Sequence, residues 1–536
     1  VNSDPVYVGY PPFFYSFDNY QNFFNTHVGR TGVIYFGAND GMLHAIRESD
    51  GEELFAYVPD KVISKLPELT DPGYSHAFYV DGKPEYGDVI INNSWKSVVA
   101  STLRAGGQGL FALDVTNPET FNASNVLWEF TDEVDADLGY TYSQPQIRRM
   151  ANGKWAAIIG NGINNTEADG NASTTGTGAL FIIYIEDGIN GWSTTDYVKI
   201  TVPGGSVADP NALFTPAAAD IDGDNRVDAI YAGDRNGKMW KFDVSSNNSN
   251  QWALDFGGNA LFDAGSGHPI TDRPAIAAHP MGASYGQLVI FGTGQYIENA
   301  DNTNVGQPTQ TLYSIWDLSP SLQAANYKAY GYGRNELSSN SFSVESGVRV
   351  INSGNTASWL DNNNEPDDRG WYIDLPTAGE RIVRRPVIRD NIIFFVSLIP
   401  DDDPCSAGGT GWLMVMDALS GSTPAYPVFD IDGDLDVTWD SDMLDPNTPD
   451  DKSDDKTPAG VFSPSIPNLP AIIYDDRPGF NAAYGEFPPV PNAARGCDAG
   501  SARAYTFTTG SNGSILTIET ATEELSCGRQ SWNSEK

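Results

Sequence analysis

The chain has 536 residues, with 31 Lys plus Arg against 70 Asp plus Glu and a formal charge of -39. That balance excludes a nucleic-acid backbone as partner, because no basic surplus exists to displace counterions, and it opposes an anionic membrane surface. With 54 Gly, 34 Pro and aromatics at 12%, and with no apolar run long enough to span a bilayer, the composition favours many short strands and tight turns.

In chain order, the first feature is a dense aromatic opening: Tyr10, Phe13, Phe14, Tyr15, Phe17, Tyr20, Phe23 and Phe24. It reads as a strand that latches or caps a core, with a carbohydrate- or partner-binding platform as the alternative. Next, Tyr35–Ile46 reads as strand, Asp-Gly turn, strand, and Tyr231–Phe242 repeats that hairpin with Asn-Gly. Between them, Asp60–Leu66 is the one convincing short helix, capped by Asp60 and stopped by Pro67. The second strand of each hairpin carries an apolar-x-apolar signature that ends at or near an Asp. The signature returns at Leu110–Asp114, Tyr313–Asp317 and Leu413–Asp417, and in looser form at Leu180–Tyr184 and Trp371–Asp374.

These seven repeats, mostly roughly 60 to 75 residues apart, carry no helices between them. Hairpins repeated in this way predict radial blades rather than parallel βαβ units. The expectation is an all-β fold, a modified seven-bladed β-propeller with long inserted loops, forming one domain over residues 1–536.

Just ahead of the Tyr231 hairpin stands Asp220-Ile221-Asp222-Gly223-Asp224-Asn225-Arg226-Val227-Asp228. Carboxylates at positions 1, 3, 5 and 9 of a curled loop point toward a common centre, and Asn225 can supply the positive φ of a sharp turn. Such carboxylates repel without a cation, and an all-oxygen set suits Ca²⁺ rather than Zn²⁺. The candidate ligands are Asp220, Asp222, Asp224, Asp228 and the backbone carbonyl of Arg226.

Farther on, residues 429–456 form an acidic inserted loop, and Asp430, Asp432, Asp434 and Asp436 open it like a second Ca²⁺ loop. Its position 9 is Thr438, so a solvated acidic loop is the competing reading. Near the end, Ala502–Thr509 and Ile515–Ala521 read as strands about the turn Gly510–Gly513. Antiparallel pairing there sets Cys497 nearly opposite Cys527, the candidate disulfide, while pairings of either with Cys405 stay open.

Several stretches, spread in order over nearly the whole chain, resemble the C-terminal domain of the PilY/PilC family of type IV pilus tip-associated biogenesis proteins and adhesins. They are Val33–Ile46, Trp95–Pro118, Leu138–Asn161, Asp220–Asp243, Pro269–Asp301, Gly379–Asp417 and the closing Gly528–Trp532. The resemblance implies an exported, modified β-propeller at the pilus tip or outer surface of a Gram-negative bacterium, with the periplasm as a further station. It implies contacts with pilin subunits and other pilus assembly proteins. It also implies support of pilus assembly, opposition to retraction, and a role in twitching motility and virulence. In that family the Asp-rich nine-residue loop binds Ca²⁺ and couples the ion to extension and retraction. The family's larger N-terminal portion, linked to adhesion and to host surfaces, lies outside this sequence.

Enzymatic readings fare worse. A quinone-dependent dehydrogenase shares blade turns of this kind but would add a cofactor site with adjacent cysteines or a Cys-x-x-Cys-His haem signature, and neither occurs. The five histidines are scattered, and no Gly-x-Ser-x-Gly elbow or phosphate loop is present. His44 occupies the place of Trp240 in the repeat, which points to packing. The expectation is a non-enzymatic domain, with a quinoprotein enzyme or a lectin-like adhesin as alternatives.

Overall fold

The computed structural model describes residues 3–475, except 325–327, 353–355, 363–364, 390, 402–407, 432–442, 445–455 and 469–470; beyond these it describes 503–509, 511 and 515–520. Contacts divide the chain into two compact units, one reaching to Pro274 and the other starting at Ala275.

The first unit holds four antiparallel sheets whose strands follow one another in chain order. Sheet one is Val6–Val8, Val33–Gly37, Leu43–Arg47 and Glu53–Tyr57. Sheet two is Glu85–Ile91, Ser94–Thr102, Gly109–Asp114 and Val126–Thr131. Sheet three is Gln146–Arg149, Trp155–Gly160, Ala179–Tyr184 and Tyr197–Thr201. Sheet four is Ala217–Ala219, Ala229–Gly233, Lys238–Asp243 and Ala253–Leu254, with Phe262–Asp263 also pairing onto its third strand.

Period-two geometry explains why the middle strands read as continuous apolar runs. In Gly109–Asp114, Leu110 and Ala112 pack in a core with Phe181 and Ile183 of sheet three. The intervening Phe111 and Leu113 pack with Tyr35 and Leu43 of sheet one. In the same way Leu180 and Ile182 turn to Ile230 and Trp240 of sheet four. Gly109–Asp114 and Ala179–Tyr184 are thus buried on both faces, and stacked sheets share three cores.

At three of the repeats the closing Asp has a mechanical purpose. Asp114 Oδ1 accepts from the N–H and hydroxyl of Thr116, Asp243 Oδ1 from those of Ser245, and Asp417 Oδ1 from those of Ser420. A short acceptor two or three residues before a hydroxyl residue turns the chain out of the strand. His44 is also structural: its ring nitrogens lie 2.9 Å from Asp40 Oδ2 and 2.7 Å from Glu53 Oε2.

The second unit contains one ten-stranded sheet and one three-stranded sheet. The large sheet is two meanders joined by a hairpin. The first meander is Ala275–Ala278, Gly286–Gly292, Thr311–Leu318 and Gly370–Asp374; the second is Val387–Arg389, Ile392–Pro400, Gly409–Asp417 and Gly460–Ser463. The hairpin Ser338–Glu345 and Val348–Asn352 lies between their outer strands. The small sheet is Ala471–Asp475, Arg503–Thr509 and Ile515–Thr520, with Thr509 opposite Ile515.

Among the described residues, counting the two meanders separately gives seven sheets, but not from the seven repeats of the sequence. Trp371–Asp374 is the outer strand of the sheet that already contains Tyr313–Asp317. The seventh sheet is the terminal three-stranded one, whose first strand Ala471–Asp475 is not among the seven repeats. Two local expectations also change. The aromatic opening is mainly not a strand: Tyr20–His27 is a helix whose Tyr20 and Phe23 are buried against Trp95. The second helix spans only Asp60–Ile63 with Pro59 at its N-cap, and Pro67 starts a 3₁₀ turn, Leu66–Thr70, rather than ending a helix. Prolines fit the first turn of a helix because the N–H they lack would be unpaired there.

Candidate metal centre

The Asp220–Asp228 loop joins the first two strands of sheet four. Its ends are fixed by main-chain bonds: the Asp228 N–H donates to the Ala219 carbonyl at 2.9 Å, and the Asp228 carbonyl accepts from the Val244 N–H at 2.9 Å. The neighbouring Val227 N–H donates to the Arg149 carbonyl of sheet three at 3.0 Å.

Within the loop, six successive N–H groups are taken up by its own carboxylates. Ile221 and Asp222 donate to Asp228 Oδ2 at 2.7 and 3.3 Å. Gly223 and Asn225 donate to Asp220 Oδ1 and Oδ2, both at 2.8 Å. Asp224 donates to Asp222 Oδ1 at 3.1 Å, and Arg226 to Asp224 Oδ1 at 2.8 Å. Turns of this tightness need left-handed residues, supplied by Gly223 (φ 82°) and, as the sequence suggests, Asn225 (φ 66°).

The consequence is convergence. Asp220, Asp222 and Asp224 each bring a carboxylate oxygen within 4.8 Å of the others. Asp228 stands apart from that trio and closes the loop through the two amides it accepts. The fifth candidate, Arg226, engages the loop through its N–H. Its guanidinium reaches Asp224 at 3.7 Å and the Ala151 carbonyl at 3.2 Å. Partial burial, opposed by the Gly223 and Asn225 amides and reinforced by the Asp224 and Asp222 charges, pushes the Asp220 carboxyl up. Burial and the charges of Asp222 and Asp220 do the same to Asp228. Three carboxylates that converge with no nitrogen or sulfur donor beside them form an all-oxygen set, so the residues present fit a hard cation such as Ca²⁺.

The chain positions this loop with a residue that sequence reading passed over. Arg149 ends the first strand of sheet three, receives Val227, and lays its guanidinium 4.5 Å over the Phe17 ring. In a chain with only 31 basic residues, the pair Arg148-Arg149 was the available signal. Of the second candidate loop, only Asp430 is described; Asp432, Asp434 and Asp436 lie outside the described residues, as do Cys405, Cys497 and Cys527. Among the described residues no helix is long and apolar enough to cross a membrane.

Comparison with known proteins accords with this architecture. Residues 1–331 match the family model described as the PilY1 beta-propeller domain. The chain is 35% identical over 448 residues to the type IV pilus biogenesis factor PilY1 of Pseudomonas aeruginosa strain PAO1, covering 77% of this chain and 37% of that protein. It is 38% identical over 441 residues to a PilY1 homologue of Xylella fastidiosa, covering 75% of this chain and 27% of that protein. The chain therefore spans little more than a third of the first relative's length and less of the second's. The crystal structure of the Pseudomonas aeruginosa PilY1 C-terminal domain superposes with a TM-score of 0.73 at 27% identity, over 96% of this chain and 99% of that one. An all-β, modified propeller is thus the fold, and the chain belongs to the PilY1 β-propeller domain family.

Proposed function

We propose that this chain is the propeller domain of a type IV pilus biogenesis factor, and that Ca²⁺ in the Asp220–Asp228 loop regulates it. The observation that carries this reading is the loop itself: carboxylates that organise six successive amides and still bring three oxygens together. Asp220, Asp222 and Asp224 would hold the ion, with Asp228 and the Arg226 carbonyl as the remaining ligands. The ion supplies charge neutralisation. The chain's residues then do the rest, because the loop runs directly into the hairpin Ala229–Asp243 and leans on sheet three through Val227. Filling the loop makes one rigid corner from three mutually repelling carboxylates.

In this reading the domain is exported and pilus-associated, at the pilus tip or outer surface, and contacts pilin subunits or other assembly proteins. It supports assembly and opposes retraction when the loop is filled. It has no catalytic role, in keeping with relatives named as biogenesis factors. The test is the double variant Asp220→Ala/Asp224→Ala, studied by calorimetry with Ca²⁺ and Mg²⁺ and by surface pili and twitching in the native host. Loss of Ca²⁺ binding together with Ca²⁺-independent piliation is the expected pair of results. Normal Ca²⁺-dependent piliation in a variant that no longer binds the ion would refute the regulatory role.

A further inference from the structure

A cleft of about 410 Å³ opens in the first unit at a place the metal loop does not use. Its rim is made of turns: Asp18 just before the helix Tyr20–His27, Asn93 in the hairpin turn of sheet two, and Gly153 in that of sheet three, all with positive φ (49°, 58° and 86°). A side chain at Gly153 would meet nothing within 4 Å, so the mouth is open there.

The walls combine aromatic and charged groups. Trp95, Trp155 and Tyr184 form the inner wall. The indole N–H of Trp95 is fixed on the Asp18 carbonyl at 2.8 Å, and Tyr184 Oη accepts from the Asn152 amide at 2.9 Å. Lys154 lies 4.5 Å over the Tyr184 ring and pairs with Asp187. Arg149 stands 3.7 Å from Asp18, and Glu186 is held by the Asn92 N–H at 2.8 Å. The polar groups are thus oriented before any ligand arrives. The Asn93 side-chain amide has no hydrogen-bond partner among the described residues and is exposed.

We infer that this cleft binds a neutral saccharide unit. The charge pattern decides among ligand classes. Three carboxylates (Asp18, Glu186, Asp187) and two cations (Arg149, Lys154) border one small space. An anion meets the three carboxylates, a cation meets Arg149 and Lys154, and an apolar ligand strips water from five charges without replacing it. A hydroxyl both donates and accepts, so vicinal hydroxyls can bridge a carboxylate and a neighbouring cation, and the Asn93 amide adds one more donor and acceptor. The volume falls within the range of roughly 300–1,000 Å³ usual for small-ligand sites.

The test uses the chain in EGTA, so that the metal loop plays no part. N-acetylglucosamine, galactose and N-acetyllactosamine are the neutral probes, sialic acid the anionic probe and a lysine-rich peptide the cationic one, followed by saturation-transfer NMR and tryptophan fluorescence. Saturable binding of a neutral probe is expected. Asn93→Gly, which keeps the left-handed turn, and Lys154→Ala, both outside the core, should each weaken it about tenfold with unchanged melting. Absence of binding by every neutral probe overturns the inference. So does neutral binding that survives both variants, or binding confined to sialic acid or to the peptide.

Discussion

Replacing Asp228 with Ala separates the two roles that this residue has in the loop. Its Oδ2 accepts one short and one long amide hydrogen bond, from Ile221 at 2.7 Å and Asp222 at 3.3 Å. A hydrogen bond to a charged acceptor contributes about 1.5–3 kcal/mol when well made. Only one of these two is short, and their loss is offset by relief from the charges of Asp222 and Asp220. The expected destabilisation without Ca²⁺ is therefore about 1–2 kcal/mol. Sheet four should survive, because Asp228 pairs with Ala219 and Val244 through its main chain. The effect on the ion is larger. A carboxylate about 5 Å from a divalent cation, at an effective dielectric of about 40, contributes roughly 3 kcal/mol, or about two orders of magnitude in Kd. Titration calorimetry of wild type and variant with Ca²⁺, together with melting in EGTA, measures both quantities. Undiminished Ca²⁺ affinity would remove Asp228 from the site. A variant that no longer melts cooperatively in EGTA would show that the carboxylate holds the sheet rather than the loop.

Three further outcomes are expected. Asp224→Lys places a cation beside Asp220 and Asp222, so its melting in EGTA should move toward that of the Ca²⁺-loaded wild type; a pilus phenotype like that of Asp228→Ala would refute the charge switch. In the second unit, Arg349 and Glu380 form a fully buried ion pair, Nη1 to Oε1 and Nη2 to Oε2 both at 2.7 Å. Glu380→Gln leaves a buried guanidinium half-paired and should cost about 3–5 kcal/mol, or roughly 10 °C in Tm; a shift within 2 °C of wild type, by calorimetry, contradicts the assignment. His279 is buried between Trp316 and Trp359, and burial lowers its pKa to about 4. The unfolded chain therefore binds the extra proton at mildly acidic pH and the folded one does not. This contribution is complete above the unfolded pKa of 6.5 and is lost as pH falls toward 4, by about 2 kcal/mol after allowance for screening. His279→Phe should flatten that slope in pH-dependent denaturant melts; an unchanged slope assigns it to other groups.

The metal loop could be read from sequence because all of its ligands fall within nine residues and their spacing is itself the geometry. Arg149, which braces it, comes 71 residues before Asp220, and nothing local announces that contact. The repeat signature was legible for a similar reason: the closing Asp and the hydroxyl residue it binds are two or three positions apart. It misled at Trp371–Asp374, where the same pattern sits on a strand returning to its sheet after an insertion of about fifty residues. The helix Tyr20–His27 was hidden by composition: Tyr20, Phe23 and His27 do lie on one helical face, but the aromatics around them blur the period.

The hairpin Ser338–Asn352 also bears on how the sheet edges of the second unit are covered. An outer strand offers a row of unpaired amides and carbonyls on which a foreign chain can build. Here Ser338–Asn340 runs parallel to Trp371–Ile373, and Arg349 pairs with Gly460, so one insertion covers the outer strands of both meanders. Removing it would uncover two templates for intermolecular β-pairing at once. The insertion thus acts as a guard against edge-to-edge association.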